Sequence, residues 1–423
     1  MHGGVNCIKL GRSMEGESHP HKHSAGTPWE VLAVAGRLGL TSFGGPIAHL
    51  GYFHEEYVVR RKWIDETKYG DLVALCQMIP GPSSSQLGIA IGMERAGILG
   101  GLTAWLGFTL PSAFALTGFA LLVHGSGIGN AGWLHGLLIV AVAVVAQAVW
   151  SMSRALAPDA ARLSIAFVVA AASILAPSSV TQVSLIAGGA IAGLLFLKAS
   201  PGGEPARAAG FETIGRVPAI CCLALFALLL IALPVLRVSF PAQWLSLVDG
   251  FYRSGSLVFG GGHVVLPLLQ REVVPTGWVS NETFLAGYGA AQAVPGPLFA
   301  FAAYLGAVGG SRPNGVPGAA IALGAIYLPS ILLVFGLLPF WNTLRSRRFM
   351  RSALSGINAS VVGILLAALY SPVWTSAILR PEDFAVALAA FLLLAVWKAR
   401  PWIVVLAGAL AGEALALAAG LRG

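Results

Sequence analysis

The chain has 423 residues, of which 56% are hydrophobic and 10% charged, with a mean hydropathy of +0.78. Water-soluble domains carry about 25% charged residues, so the composition excludes one and leaves a protein whose surface faces lipid. The formal charge of +8 suits the basic cytoplasmic loops of a polytopic chain, and no motif accompanies it that would point to nucleic acid.

In chain order, residues 1–28 read as a disordered polar tail; its His19, His21 and His23 form a short run that could hold a metal loosely, with plain tail the favoured reading. Its Cys7, like Cys76, Cys221 and Cys222 farther on, has no metal-ligand spacing. The first apolar segment, 29–50, contains Arg37 and, seven residues later, a Gly44-Gly45 break before Pro46. A polar stretch over 51–69 follows, with Glu55 and Glu56 among Arg60, Arg61, Lys62 and Lys68. The second segment, 70–92, carries Gln77 and is interrupted by Pro80-Gly81-Pro82-Ser83-Ser84-Ser85. Prolines around a glycine break a helix. Irregular backbone at membrane depth survives only when buried in protein or lining a watery cavity. A helix starting at Pro82 leaves the amides of Ser83, Ser84 and Ser85 without helical acceptors. With three hydroxyls and a positive dipole end, they make an anion site.

Further apolar segments lie near 97–123, 133–151, 163–177, 181–197, 217–236, 245–267, 284–309, 315–341, 354–371, 383–397 and 401–419, for thirteen in all. The eighth holds Arg253 and a break at Gly260-Gly261, then His263, with Glu272 just beyond it. The ninth holds Gln292 and Pro295-Gly296-Pro297. The chain therefore states one pattern twice. Arg37 answers Arg253, Phe43-Gly44-Gly45 answers Phe259-Gly260-Gly261, and Glu56 answers Glu272. Gln77 answers Gln292 and each Pro-Gly-Pro the other; Pro111 and Gly136 answer Pro329 and Gly356. Two copies seven crossings apart enter the membrane from opposite sides, the plan of many secondary transporters. If the Pro-Gly-Pro segments dip in and return, the displacement becomes six and the repeats are parallel. With thirteen crossings, the tail's side collects about twice as many Lys and Arg as the other, placing the N-terminus inside and the C-terminus outside. The 51–69 stretch is the exception.

The expected fold is thus all-α and polytopic, with about thirteen spans in two inverted repeats with broken helices. The repeats are bounded at 29–200 and 245–423, with a linker and one span between. The expected substrate contacts are Arg37, Gly44, Gly45, Gln77, Gly81, Ser83, Ser84, Ser85, Arg253, Gly260, Gly261, Gln292 and Gly296. Glu56, Glu272 and His263 are the coupling candidates; His49 and Glu413 could also relay a proton. Each has a plainer reading: snorkelling for Arg37, capping and packing for the serines, bridging helices for the glutamines, solvated ion pairs for the glutamates. The second repeat has Leu298-Phe299 where the first has Ser83-Ser84, so the site is weighted toward the first half. No catalytic constellation, metal site or cofactor motif emerges.

The stretches "FGGPIAHLGYFHEEYVVRRKWIDETKYGDLVALCQMIPGPSSSQLGIAIG" and "FGGGHVVLPLLQREVVPTGWVSNETFLAGYGAAQAVPGP" closely resemble the chromate ion transporter family in its long, two-domain bacterial form. The resemblance implies an inner-membrane efflux carrier for chromate, with sulfate as competitor, driven by the electrochemical gradient. It marks Phe43, Gly44, Gly45, Pro46, Pro80, Gly81 and Pro82 as motif positions, with Phe259, Gly260, Gly261, Pro295, Gly296 and Pro297 in the second half. Gly262 stands where the first half has Pro46. The residues themselves give an anion carrier, and only the resemblance gives chromate. A carrier of sulfate or another tetrahedral oxyanion stays open, as do a membrane scaffold or sensor and a homodimer.

Overall fold

The computed structural model describes residues 26–43, 45–125, 132–197, 214–259, 264–310, 312–341 and 348–420. The expected tail with its histidines lies almost wholly outside the described residues, as do Gly44, Gly260, Gly261, Gly262 and His263.

The described chain is helical, without a strand. In the first half, α1 (Pro28–Thr41) is followed by α2 (Gly45–Phe53), which runs on as a π-helical turn over His54–Arg60. Next come α3 (Glu66–Met78), α4 (Ser83–Gly125), α5 (Gly132–Leu156), α6 (Ala160–Leu175) and α7 (Ser179–Phe196). A connecting helix, α8 (Arg216–Ser239), leads to α9 (Gln243–Leu257), α10 (Val265–Val273), α11 (Asn281–Ala293), α12 (Phe301–Val308) and α13 (Gly315–Leu337). The chain closes with α14 (Arg348–Ala368), α15 (Pro381–Ala395) and α16 (Pro401–Gly420). Side-chain caps start several of them: Thr27 for α1, Asp65 for α3, Asp159 for α6, Ser178 for α7 and Ser280 for α11 each accept a first-turn amide.

Six helices among the described residues are long and apolar enough to cross a membrane: α4, α5, α8, α13, α14 with its extension to Ala377, and α16. Neither of the segments 29–50 and 70–92 is a single continuous helix. Each is two short helices meeting at a break, and ion pairs gather their outer ends. Arg95, at the end of the first leg of α4, holds Glu30 of α1 at 3.1 Å. Arg61, just past α2, reaches the same Glu30 at 3.9 Å. Lys68, on the first turn of α3, meets Glu94 at 3.2 Å. Trp63 lies beneath the Arg61 and Arg95 guanidiniums. Helix α4 then reverses at Ala96 and Gly97, which have non-helical backbone angles, and the Gly92 and Gly100 faces let its two legs close on each other. These pairs join residues tens of positions apart, which is why hydropathy along the chain does not register them.

The second half repeats this. Trp278 donates to the Leu305 carbonyl (2.9 Å) and Tyr304 to the Thr283 carbonyl (2.9 Å), joining the start of α11 to the end of α12. Glycines Gly306 and Gly318 bring α12 and α13 together as Gly92 and Gly100 do the legs of α4. The later helices exchange between halves: α5 packs on α15 and α16, and α14 packs on α6 and α7. The repeated pair Gly136 and Gly356 sits at these two contacts, Gly136 on the Gly408 carbonyl and Gly356 on that of Gly189. Small residues of this kind let helix backbones approach inside a membrane. A side chain at Gly189 would meet Ser360 and the Gly356 carbonyl, whereas nothing lies within 4 Å of one at Gly188. Gly189→Leu is therefore expected to cost about 1–3 kcal/mol through overpacking. Gly188→Leu, one residue away, should leave the melting temperature in detergent unchanged, and equal shifts would refute the contact.

Candidate substrate site where the doubled motifs cross

Each Pro-Gly-Pro break is bonded to the opposite half. The Gly81 amide donates to the Val258 carbonyl at 2.6 Å, and the Gly296 amide donates to the Ser42 carbonyl at 2.9 Å. Val258 and Ser42 are the residues just before the two Phe-Gly-Gly motifs. Gly81 has φ +127° and Gly296 φ +103°, angles that only glycine adopts cheaply. A second pair supports the crossing. Gly39 lies on the Phe108 carbonyl, where an added Cβ would be 2.6 Å away, and Gly255 lies in the same way on that of Ile326. These carbonyls stand three residues before Pro111 and Pro329. The glycine two places after each repeated arginine is thus part of the motif, a repetition visible in the sequence and not singled out there.

Helix α4 starts at Ser83, with Pro82 as the residue before it rather than its first position, and the Gln86 amide makes the first helical bond, to Pro82 O at 2.9 Å. Ser83, Ser84 and Ser85 consequently keep amides with no helical acceptor, as the sequence indicated. Around this N-terminus gathers a set of buried polar side chains. Ser84 Oγ is 3.2 Å from His49 Nδ1. The Gln86 side chain donates to the Pro80 carbonyl at 2.6 Å and to Ser330 Oγ at 3.4 Å. The Tyr327 hydroxyl is near those of Ser85 and Thr109, with none of the three pairs meeting hydrogen-bond geometry. Ser112 Oγ donates to the Thr109 carbonyl and would be 3.0 Å from a Cβ at Gly296. Among these atoms Ser42 Oγ, His49 Nε2, Ser85 Oγ, Gln86 Oε1, Thr109 Oγ1 and Tyr327 OH are buried without a hydrogen-bond partner among the described residues. A buried hydroxyl left unbonded costs about 1–3 kcal/mol. Six such atoms lie about one helix N-terminus, an element whose free amides suit an anion. The second-half residues aligned with Ser84, Ser85 and Gln86 are Phe299, Ala300 and Phe301, all buried, so only the first Pro-Gly-Pro break opens onto polar side chains. Sequence reading did not select Ser42, Gln86, Thr109, Tyr327 or Ser330. The available signal was the doubled Leu-Pro-Ser at 110–112 and 328–330.

The remaining expected residues scatter. Gly45 opens α2 with φ +79°, as a glycine break requires. Arg37 is exposed on α1, with its carbonyl accepting from Thr41. Gln77 is exposed, and Gln292 is half-buried with Nε2 unbonded. Arg253 is occupied: its Nη2 lies 2.6 Å from Asp249 and 3.3 Å from Glu272. Arg237 from α8 shares Asp249 at 3.2 Å. The equivalent glutamate of the first half, Glu56, holds Arg60 at 3.1 Å and Arg61 at 2.7 Å. Burial works against its charge, and the Arg61 and Arg60 guanidiniums overcome that, so its pKa lies below the ordinary value. A carboxylate held there stays ionised at neutral pH. Glu413, deep in α16, accepts the Trp133 amide at 2.9 Å.

Broken helices bonded across two related halves, with lipid-length helices around them, define a multi-pass membrane protein whose irregular backbone meets at its centre. Residues 29–194 and 245–413 match the chromate transporter family, one stretch for each half. The chain belongs to that family. It is 28% identical to the chromate transport protein of Pseudomonas aeruginosa, over 78% of this chain and 77% of the relative. It is 26% identical to the probable chromate transport protein of Synechococcus elongatus, over 84% and 86%. With the chromate transport protein of Cupriavidus metallidurans it shares 25%, over 78% and 79%. No solved structure matches the chain.

Proposed function

We propose that the chain is a secondary carrier that exports chromate across a bacterial inner membrane, with the oxyanion bound at the N-terminus of α4. The observation that carries this is the group of buried side-chain atoms there with no partner among the described residues: Ser42 Oγ, His49 Nε2, Ser85 Oγ, Gln86 Oε1, Thr109 Oγ1 and Tyr327 OH. Hydroxyl and amide donors arranged about a helix N-terminus suit a tetrahedral oxyanion, and the family supplies chromate. Sulfate has the same shape and charge and is the expected competitor.

The gathered helix ends support a revised path through the membrane. If α1 with α2, α3 with the first leg of α4, α9 with α10, and α11 with α12 are four re-entrant hairpins, the halves begin five crossings apart: the second leg of α4, α5, α6, α7 and α8. Five is odd, so the halves remain inverted and the termini remain on opposite sides. The path also moves Arg60, Arg61, Lys62 and Lys68 to the tail's side, beside Arg95, which removes the exception to the positive-inside pattern. Two sets of hairpins entering from opposite faces and bonding at their tips give a site reachable from either side, as alternating access requires.

The test is chromate uptake into inside-out vesicles, with and without a collapsed proton gradient, for the parent and a Ser85→Ala/Thr109→Ala double variant. Gradient-dependent accumulation that falls by about tenfold or more in the variant, equivalent to about 1.4 kcal/mol, is expected. Sulfate accumulation without chromate would make the chain a carrier of another oxyanion. No anion movement by folded, inserted protein would leave a scaffold or sensor.

A further inference from the structure

The proposed site contains no permanent cation among the described residues. Arg37 is exposed and Arg253 is held by Asp249 and Glu272. Bringing a dianion into this setting with neutral donors alone leaves two charges uncompensated, a large electrostatic cost at low dielectric. One titratable base is built into the cluster. His49 is 1% exposed; Nδ1 faces Ser84 Oγ at 3.2 Å and Nε2 has no partner among the described residues. Its other surroundings are the Ser42 backbone at the end of α1 and the Phe108 ring of α4, packed edge-on at 5.2 Å. Next to His49 on α2, the Leu50 carbonyl accepts from the Tyr69 hydroxyl of α3. The first carboxylates are Glu55 and Glu56, the latter already committed to two arginines. No charged group from α1, α3 or α4 acts on the ring.

We propose that His49 compensates the substrate's charge: the site takes up a tetrahedral dianion together with one proton, which the imidazole holds while the anion is bound. This rests on the placement of the anion at α4. A protonated imidazole donates from both nitrogens. Nδ1–H then bonds to Ser84 Oγ and Nε2–H to an anion oxygen, giving the unbonded nitrogen its partner. The proton comes from solvent on binding and returns to solvent on release, so anion and proton move together. Without the anion, no described residue around the ring offers a negative charge to hold that proton.

The experiment is equilibrium dialysis of the purified full-length protein with radiolabelled chromate at pH about 7.5 and about 8.5, where chromate is the dianion and taking up one proton makes affinity fall about tenfold per pH unit. Dye-reported proton uptake in weak buffer should give one proton per chromate bound. His49→Gln is expected to bind chromate more weakly, without the pH slope or the proton uptake. Ser84→Ala, a milder change at the Nδ1 partner, should keep the proton stoichiometry and shift the pH at which the slope begins. A flat wild-type profile, a slope kept in His49→Gln, or a Ser84→Ala profile matching wild type each overturns the role of His49. Absence of chromate binding by folded wild type at either pH overturns the substrate reading as well, so the two failures are distinguishable.

Discussion

Gly81→Ala is expected to abolish chromate uptake and to destabilise the protein by on the order of 3 kcal/mol, with a clearly smaller loss for Gly296→Ala. Both residues occupy positive φ, +127° and +103°, and each variant bears the strain of a side chain there, about 1–3 kcal/mol. The two differ in what the new methyl meets. At Gly81 it runs into Ser330 Oγ and Gln86 Nε2. Gln86 could swing away only by giving up its 2.6 Å bond to the Pro80 carbonyl, and a buried amide left unbonded costs about 1–3 kcal/mol more. At Gly296 the nearest atoms are Ser112 Oγ at 3.0 Å and two carbonyls at 3.3 Å, contacts that give by a few tenths of an ångström. The functional loss should exceed the stability loss at Gly81, because Gln86 and Ser330 belong to the proposed site. Thermal unfolding in detergent and vesicle uptake, measured side by side, decide this. Wild-type uptake by Gly81→Ala would remove the break from the transport cycle, and equal effects at both glycines would remove the asymmetry.

That asymmetry is legible in the sequence alone. Ser83-Ser84-Ser85 against Leu298-Phe299-Ala300 is a difference of residue type at aligned positions, and the polar cluster forms on the side that has the serines. The breaks are legible too, because proline and glycine act through local backbone geometry. What the chain does after a break is a tertiary matter. Hydropathy over 29–50 reads the same whether the second piece continues or turns back on the first, and it carries no trace of Glu30 meeting Arg61 and Arg95. The site's other members escape for a related reason. Thr109 and Tyr327 each precede a doubled Leu-Pro-Ser in a long apolar helix, a repetition that marks the position without naming its partners, and only the crossing of the halves brings their hydroxyls near Ser85.

The repeated arginines show how a doubled residue can carry different tasks. Arg253→Ala is expected to cost about 2–3 kcal/mol, while Arg37→Ala stays within about 0.5 kcal/mol of wild type. Arg253 closes a network in which Asp249, only 1% exposed, is bonded at 2.6 Å and Glu272 at 3.3 Å. Removing it leaves a buried carboxylate whose other cation, Arg237, stands at 3.2 Å from α8. That residual partner holds the loss below the 3–5 kcal/mol of a fully broken buried pair, and the 27% exposure of the Arg253 side chain lowers it further. Arg37 has Ala33 one turn before it where Arg253 has Asp249, so its guanidinium lacks the i, i+4 carboxylate, and the side chain lies exposed on α1. Melting temperatures of the two variants decide between shared and separate roles, with Asp249→Asn/Arg253→Gln as a paired control that removes both charges together. If the double variant is no worse than Arg253→Ala, the cost lies in the stranded carboxylate and the network is a strut at the mouth of the second set of hairpins. Equal losses for Arg37→Ala and Arg253→Ala would instead mean that the repeat preserved a function at both positions, and the substrate's charge would then have a second claimant beside His49.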